Sequence, residues 1–248
     1  MIDKLNYTNE CEIRVVALVR SGHHAIINWI TKHFENSVFL NNPDVGYDWF
    51  SKNIDKTKAK GLLIYNYERH LYTLKQICEG NSVEARDEAV GKSLRRYDCL
   101  VLRDPFNTFA SKIRVTGAKP NSINGKDLNM CEIWKEHARE FLGKTDYLME
   151  PKVFINYNKW FVDERYRRIT MNLFGAKLTD DGKETVPNYG NGSSFDGLSF
   201  NGRASEMDVT NRWRHYADDD EFRQLFDAEM VELSERIFGH IEGTERLF

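Results

Sequence analysis

Short apolar runs and amphipathic helical patterns alternate along the chain, and this alternation restricts its fold more than any other feature. The β-rich runs occupy residues 13–19, 61–67, 97–102 and 152–157, and a helical pattern follows each of them. Several runs are almost entirely apolar, which is typical of parallel strands covered by helices on both faces. The sequence therefore predicts an α/β domain in which helices flank a central, mostly parallel sheet.

The rest of the chain extends this pattern into a single domain that covers residues 1–248. Between residues 175 and 205, glycine, asparagine and serine interrupt the helical spacing. This composition indicates a long loop that is either disordered or a lid over a site. The predicted helices cover residues 24–34, 71–78, 107–115, 128–142, 161–174 and 221–238.

Three polar segments directly follow predicted strands, at residues 20–24, 68–70 and 103–107. The carboxyl ends of parallel strands lie at one edge of a sheet, and ligands of open α/β folds bind there. We therefore expect the three segments to line one rim of the sheet and to form the functional site.

The first polar segment, Arg20-Ser21-Gly22-His23-His24, joins a strand to a helix. Backbone N–H groups and the positive end of a helix dipole attract anions at such a position, and Arg20 adds a formal charge. A nucleotide triphosphatase loop would end in a lysine and a hydroxyl residue, and this segment has neither. It indicates an anion site for which metal-assisted ATP chemistry is not the obvious purpose.

A second anion-binding pattern begins at the end of the third run, where Ser111 follows Arg103 by eight positions. Pro105 between them suits the first turn of a helix. Arg103 at a strand end offers a bidentate guanidinium, and Ser111 on the following helix adds a hydroxyl group. The pair predicts a second phosphate site on the same rim.

The two patterns, in this order, resemble the sulfotransferases that use 3′-phosphoadenosine 5′-phosphosulfate (PAPS). The family's first loop usually reads Lys or Arg, Ser or Thr, Gly, and then two small hydroxyl residues, which histidines replace here. The resemblance implies a P-loop-like fold, PAPS as cofactor, and transfer of a sulfuryl group to a hydroxyl acceptor. It assigns the 5′-phosphosulfate to Arg20, Ser21, Gly22, His23, His24 and Ala25, and the 3′-phosphate to Arg103 and Ser111.

Two further segments resemble the family in the expected order. Residues 153–157 look like the strand whose terminal tyrosine, here Tyr157, lies near the adenosine. Residues 199–203 precede a tryptophan-containing stretch at 212–214, much as a basic 3′-phosphate loop precedes a helix in cytosolic members. The resemblance therefore adds Tyr157 and Arg203 to the cofactor-binding residues.

Sulfuryl transfer needs an in-line acceptor oxygen, a base for its proton, and positive charge on the departing phosphate oxygen. Arg20 can supply that charge. The Lys-Thr-His motif that follows the second strand in cytosolic sulfotransferases is absent here. Position makes Glu68 and His70 the first candidates for the base, and Asp44 and His24 are also reachable.

Composition limits the partners and the location of the protein. Lys and Arg number 35 and Asp and Glu 38, so the net charge of −3 gives no global reason to expect nucleic acid. No apolar run could span a membrane and the N-terminus lacks a signal-peptide core, which favours a cytoplasmic protein. The four cysteines are scattered, so we expect no disulfide framework, zinc site or other metal.

The acceptor is expected to be a small molecule or a glycan, and the sequence leaves a carbohydrate, a phenol and a lipid head group open. Two rival functions also remain. A nucleotide or small-molecule kinase with a degenerate P-loop would bind ATP with magnesium, although the lysine expected after Gly22 is missing. A non-catalytic module would bind the nucleotide and transfer nothing.

Overall fold

The computed structural model describes residues 7–43, 54–68, 72–79, 82–121 and 128–248. Their strands form one five-stranded sheet in which every neighbouring pair is parallel. The predicted α/β class with a central parallel sheet is confirmed. In chain order the strands are β1 (Asn9–Ala17), β2 (Ser37–Asn41), β3 (Lys60–Tyr67), β4 (Ser93–Leu102) and β5 (Lys152–Asn156), and across the sheet they run β2-β3-β1-β4-β5.

Helices of the described ranges cover both faces of the sheet. One face of β1 packs against the helices His23–Thr31, Tyr157–Val162 and Glu164–Leu173, and the other packs against the helices Leu74–Glu79 and Val83–Val90. The α-helices are α1 (His23–Thr31), α2 (Leu74–Glu79), α3 (Val83–Val90), α4 (Pro105–Thr116), α5 (Met130–Phe141), α6 (Tyr157–Val162), α7 (Glu164–Leu173), α8 (Asp220–Arg223) and α9 (Ala228–Phe238).

Aspartates divide two of the predicted helices. The segment 161–174 contains the end of α6 and all of α7, because the side chain of Asp163 accepts the N–H of Tyr166 and starts a new helix. Asp227 does the same for α9 by accepting the N–H of Met230. Such capping satisfies a backbone donor that the first turn of a helix leaves open, so it favours a helix start inside an otherwise continuous apolar pattern.

The sequence pattern did not predict β2 or α3. Strand β2 has five residues, lies at the edge of the sheet and stays partly exposed, so it carries little of the apolar signal of a central strand. Helix α3 is mostly charged and begins at a cap, where the hydroxyl of Ser82 accepts the N–H of Ala85 at 3.2 Å. Both elements therefore lack the periodicity on which the prediction rested.

The register of β1 brings three strand ends together. Val16 of β1 pairs with Tyr67 at the end of β3, and Ala17 pairs with Val101 near the end of β4. The chain therefore leaves all three strands at one rim of the sheet. The polar residues that follow them are Arg20, Glu68 and Arg103.

Helix α1 is fixed to the sheet by its apolar face. Ile26, Trp29 and Ile30 are fully buried and belong to the same cluster as Ile13 and Val15 of β1. Full burial of an aliphatic side chain contributes about 1.5–3 kcal/mol relative to exposure. The packing therefore holds the N-terminus of α1 at the rim.

The glycine-rich segment 175–205 contains two short 3₁₀ turns, Tyr189–Asn191 and Ala204–Glu206, and no α-helix. Its first part is anchored by Asp180, which accepts hydrogen bonds from the indole of Trp29 at 3.0 Å and from Arg167 at 2.7 Å. The segment is thus tied to α1 and α7 at one end before it passes over the rim.

A buried ionic network crosses the sheet on the side away from α1. The carboxylate of Glu12, fully buried, accepts from Arg86 at 2.8 Å and from Arg96 at 2.7 Å. Arg86 also contacts Asp98 at 3.2 Å, and Asp98 pairs with the buried Arg14. Burial opposes the ionisation of Glu12, but the two arginines lower the pKa of this carboxyl below its ordinary value. The network therefore depends on every partner being present.

We expect Glu12→Gln to lower the free energy of unfolding by about 3–5 kcal/mol, because, among the described residues, it leaves the buried Arg86 only Asp98, which also pairs with Arg14, and leaves Arg96 only the partly exposed Asp87. Urea denaturation measures the change. The matched control is Glu164→Gln, which removes the exposed partner of Arg168 and should cost less than about 1 kcal/mol. Equal losses in the two variants would contradict a structural role for the network.

Candidate functional site

The loop between β1 and α1 has an unusual backbone. Arg20 has a φ angle of 67° and Gly22 one of 81°, both in the left-handed region. The N–H of Ser21 donates to the carbonyl of Leu18 at 3.2 Å, which closes a turn before α1 begins. No side chain caps the start of α1, so its positive dipole end is directed at whatever occupies the rim.

Gly22 packs directly against an aromatic ring. A Cβ atom at this position would lie 2.2 Å from Cε2 of Tyr157, closer than any real contact. Tyr157 is the first residue of α6 and is buried, and the guanidinium of Arg103 lies 5.1 Å from the centre of its ring. Tyr157 therefore joins the first loop to the end of β4.

The side chain of Arg20 is held by the glycine-rich segment. Its Nε donates to the hydroxyl of Ser194 at 2.7 Å, and its Nη2 donates to the carbonyl of Gly192 at 3.2 Å. Residues far apart in the chain therefore close over the loop, which makes the segment a wall of the site.

Ser111 lies at the centre of a second cationic cluster. Its hydroxyl accepts from Arg103 at 3.4 Å and from Arg212 at 3.4 Å, and all three side chains are buried. Arg103 also donates to the carbonyl of Arg20 at 3.4 Å, so the cluster adjoins the first loop. The structure thus places the predicted pair Arg103 and Ser111 in contact and adds Arg212 to them.

The cluster concentrates positive charge away from water. Burial, and then the charge of Arg103, lower the pKa of Arg212 to about 10. Burial also lowers the pKa of Arg20, an effect that Glu68 opposes and Arg103 strengthens. Among the described residues, the buried Nε atoms of Arg103 and Arg212 have no hydrogen-bond partner. Unsatisfied buried donors are costly, and an anion would satisfy them.

A cavity of about 280 Å³ connects the two groups. Its walls include the loop from Arg20 to Ala25, the cations Arg103 and Arg212, and Tyr157. Residues 183–194 of the glycine-rich segment supply much of the opposite wall. One ligand could therefore contact both anion-binding groups at once.

One end of the cavity is aromatic and holds a buried lysine. The ammonium of Lys183 lies 4.4 Å from the ring centre of Phe161 and 5.5 Å from that of Trp160. Its nearest carboxylate oxygen, on Glu184, is 4.0 Å away, and burial lowers the pKa of the lysine. This end offers flat apolar faces with a strong donor beside them, which suits a planar, polar ring.

The other end of the cavity holds a carboxylate between two imidazoles. Nε2 of His23 lies 3.1 Å from one oxygen of Glu68, and Nε2 of His24 lies 3.9 Å from the other. Burial opposes the ionisation of Glu68, but His23 and His24 lower its pKa to about 2. Burial, followed by the effect of His23, lowers the pKa of His24 to about 4. At neutral pH Glu68 is therefore a carboxylate and His24 is uncharged.

One described residue singled out from the sequence lies elsewhere. Arg203 is exposed and outside the cavity walls, and its guanidinium pairs with Glu206 at 2.9 Å. His70 and Asp44 lie outside the described residues. The 3′-phosphate role of Arg203 and the catalytic role of His70 therefore remain predictions.

Sequence reasoning missed two cavity residues, Arg212 and Lys183. Arg212 belongs to the tryptophan-containing stretch 212–214, which the resemblance to the family already pointed out. The 3′-phosphate role was assigned to Arg203, which precedes that stretch, instead of to Arg212. Lys183 lies among glycines and acidic residues in a segment without periodicity, and no local pattern distinguishes it.

Comparison with solved structures reveals the same architecture in a sulfotransferase. A crystal structure of mouse sulfotransferase SULT7A1 complexed with PAP matches with a TM-score of 0.53, over 93% of this chain and 90% of that chain, at 14% sequence identity. This chain has the sulfotransferase fold. No protein-family profile and no curated protein matches the sequence. At this identity the likeness is one of fold.

No helix in the described part of the chain combines the length and the apolar character needed to traverse a bilayer.

We expect Gly22→Ala to destabilise the protein more than Gly117→Ala. Both glycines have positive φ, at 81° and 64°, so alanine introduces backbone strain of about 1–2 kcal/mol at either place. Only at Gly22 does the new methyl group also collide with Tyr157, which adds about 1–3 kcal/mol of overpacking. Urea denaturation of the two variants measures the difference, and equal stabilities would refute the close contact at Gly22.

Proposed function

We propose that the protein is a sulfotransferase that moves a sulfuryl group from PAPS to a hydroxyl acceptor. The observation that carries the proposal is that two anion-binding groups line one cavity: the loop that begins at Arg20, and the cluster of Arg103 and Arg212. PAPS carries anionic groups at both its 5′ and its 3′ positions. The sulfotransferase fold, and a neighbour whose structure holds PAP, support the same interpretation.

Arg20 and the start of α1 would bind the 5′-phosphosulfate. In the transfer, the acceptor oxygen forms a bond to sulfur, the bond from sulfur to the 5′-phosphate oxygen breaks, and the bisphosphate leaves with that electron pair. Positive charge fixed beside the departing oxygen lowers the barrier because it needs no reorganisation. The guanidinium of Arg20, held by Ser194, and the dipole of α1 would supply this charge.

Arg103, Ser111 and Arg212 would bind the 3′-phosphate. The two guanidinium groups share the Ser111 hydroxyl and keep unsatisfied Nε donors, so they suit an acceptor with several oxygens. This role explains why the chain tolerates two buried cations in contact with one hydroxyl. The exposed pairing of Arg203 with Glu206 favours Arg212 over Arg203 for this site.

Glu68 remains our candidate for the base that receives the acceptor proton. It follows β3, lines the cavity beside the first loop, and is ionised at neutral pH. In-line transfer requires the acceptor oxygen to reach the sulfur from the side opposite the departing phosphate, so Glu68 would have to receive the proton on that side. The acceptor class stays open among carbohydrates, phenols and lipid head groups.

We expect adenosine 3′,5′-bisphosphate to bind, and Arg103→Ala and Arg212→Ala each to weaken its binding about 10- to 100-fold. A hydrogen bond to a charged group contributes about 1.5–3 kcal/mol, which corresponds to this range. Calorimetric titration measures the affinities. Arg236→Ala removes an exposed arginine far from the cavity and should leave the affinity unchanged.

The same titration decides between Arg212 and Arg203, since Arg203→Ala should cost less than Arg212→Ala. Absence of binding, or binding that Arg103→Ala does not weaken, would refute the cofactor assignment. Incubation with labelled PAPS and a panel of hydroxyl acceptors then separates an enzyme from a binding module, which would bind the bisphosphate and give no labelled product. Magnesium-dependent ATP binding would instead favour a kinase.

Lys183→Met should weaken the binding of adenosine 3′,5′-bisphosphate about tenfold, because methionine keeps the apolar stem and removes the donors that face the aromatic end. Ribose 3,5-bisphosphate, which lacks the base, should bind equally well to the variant and to the unchanged protein. A loss of affinity for both ligands would place Lys183 on a phosphate instead of on the adenine.

A further inference from the structure

His23, His24 and Glu68 form a compact set of metal-ligand atoms. One ring nitrogen of each histidine and a carboxylate oxygen of Glu68 all lie within 4.8 Å of one another. The histidines open α1 and Glu68 follows β3, so two rigid elements of the fold fix the three side chains. All three side chains line the cavity.

The hydrogen bonds around His23 leave two acceptors facing each other. The backbone N–H of Asn42 donates to Oδ1 of Asn66 at 3.1 Å, which turns the amide so that Nδ2 faces Nε2 of His23 at 3.1 Å. Nε2 is then an acceptor, and the proton of His23 is on Nδ1, 3.2 Å from the hydroxyl of Ser21. The same Nε2 lone pair lies 3.1 Å from a carboxylate oxygen of Glu68. A cation that took this lone pair in place of the N–H of Asn66 would also neutralise the facing carboxylate oxygen.

We propose that His23, His24 and Glu68 bind a divalent transition metal, and that Zn²⁺ is the ion this donor set suits best. Two imidazoles and one carboxylate are typical ligands of zinc, whereas Mg²⁺ prefers oxygen ligands alone. Tetrahedral zinc with ligands at about 2.1 Å places them about 3.4 Å apart. The two imidazole-to-carboxylate separations, 3.1 and 3.9 Å, lie on either side of that value but end on different oxygens of Glu68, so the carboxylate must turn to offer one of them or bind through both. Small side-chain rotations therefore complete the site.

Surrounding groups already orient His23 and Glu68, whereas Nε2 of His24 lies 3.0 Å from Oδ1 of Asn41, a contact that a metal ion would replace. Ser21 holds the far nitrogen of His23, and Nδ2 of Asn42 donates to Glu68 at 2.7 Å while its Oδ1 accepts the backbone N–H of Glu68 at 2.9 Å. Such outer contacts fix the tautomer of a metal-binding histidine and the orientation of a metal-binding carboxylate. They distinguish this cluster from a chance grouping of exposed side chains.

The proposed site shares His23, His24 and Glu68 with the proposed sulfotransferase site but does not rest on that activity, and it uses a donor set that cysteine counting does not address. Three protein ligands leave one position of a tetrahedral zinc ion open, as in catalytic zinc sites. The open position would face the cavity that His24 and Glu68 line, and an oxygen atom of a bound molecule could fill it. The site therefore gives the histidine pair a function that small hydroxyl residues could not supply.

Titration of the metal-free protein with Zn²⁺ against a chromophoric chelator tests the proposal. We expect one tightly bound zinc ion per chain, retained in millimolar magnesium. Glu68→Gln, which preserves the shape of the side chain, and His24→Ala should each weaken binding at least about 100-fold, since loss of an outer partner alone costs about 10- to 100-fold. Ser21→Ala should show that smaller loss.

His240→Ala is the matched control, because it removes an exposed histidine that pairs with Glu245 outside the cavity walls and should leave zinc binding unchanged. Co²⁺ added to the unchanged protein should give the visible absorption of a tetrahedral site, and Glu68→Gln should abolish it. Failure of the unchanged protein to bind zinc, or binding that survives Glu68→Gln and His24→Ala, would overturn the proposal. Bisphosphate titration in EDTA tests the sulfotransferase proposal separately.

Discussion

Parallel pairing of β1 with both β3 and β4 is the constraint on which the rest of the structure depends. It makes three consecutive strand ends meet at one rim, and the polar residues that leave those strands include two arginines and a glutamate. Apolar residues on both faces hold the strands in this register, since Ile13 and Val15 on one face and Val16 on the other are fully buried. Positive charge accumulates at the rim because Arg20 and Arg103 follow the strands there and Arg212 folds back beside them.

The cost of that accumulation explains the role of the glycine-rich segment. Burial and the charge of Arg103 disfavour the charged forms of Arg212 and Arg20. The glycine-rich segment accepts hydrogen bonds from both side chains. Ser193 accepts from Arg212 at 2.8 Å, and Ser194 accepts from Arg20 at 2.7 Å. The hydroxyl groups stabilise the two guanidinium groups without cancelling their charge, whereas Asp196 of the same segment, 3.2 Å from Arg212, offsets part of the charge on that side chain. The segment is therefore part of the binding chemistry as well as a wall.

The parts of the site that the sequence could predict are those built from adjacent residues. The loop at Arg20 and the spacing of Arg103 and Ser111 are local patterns, since a strand end and the first turns of a helix fix where such side chains lie. Arg212 and Lys183 reach the cavity only because the chain folds back from distant positions, and no periodicity in the sequence predicts that long-range contact. For the same reason β2, at the sheet edge, left no clear signal. The long-range part of the fold had to be observed.

The histidine pair of the anion-binding loop lies beside a carboxylate, that of Glu68, which would repel an anion. An ionised Glu68 lines the cavity that Arg20 and the dipole of α1 prepare for an anion, and a bare carboxylate there would repel the ligand. Small hydroxyl residues at positions 23 and 24 would leave that repulsion in place, because they are not typical ligands of a zinc ion. The imidazoles turn their Nε2 atoms toward Glu68 instead, where the proposed zinc ion would offset the carboxylate charge. The histidines at positions 23 and 24, where the family usually has hydroxyl residues, and the carboxylate of Glu68 are therefore explained together. The carboxylate can remain beside an anion site only if the loop offsets its negative charge.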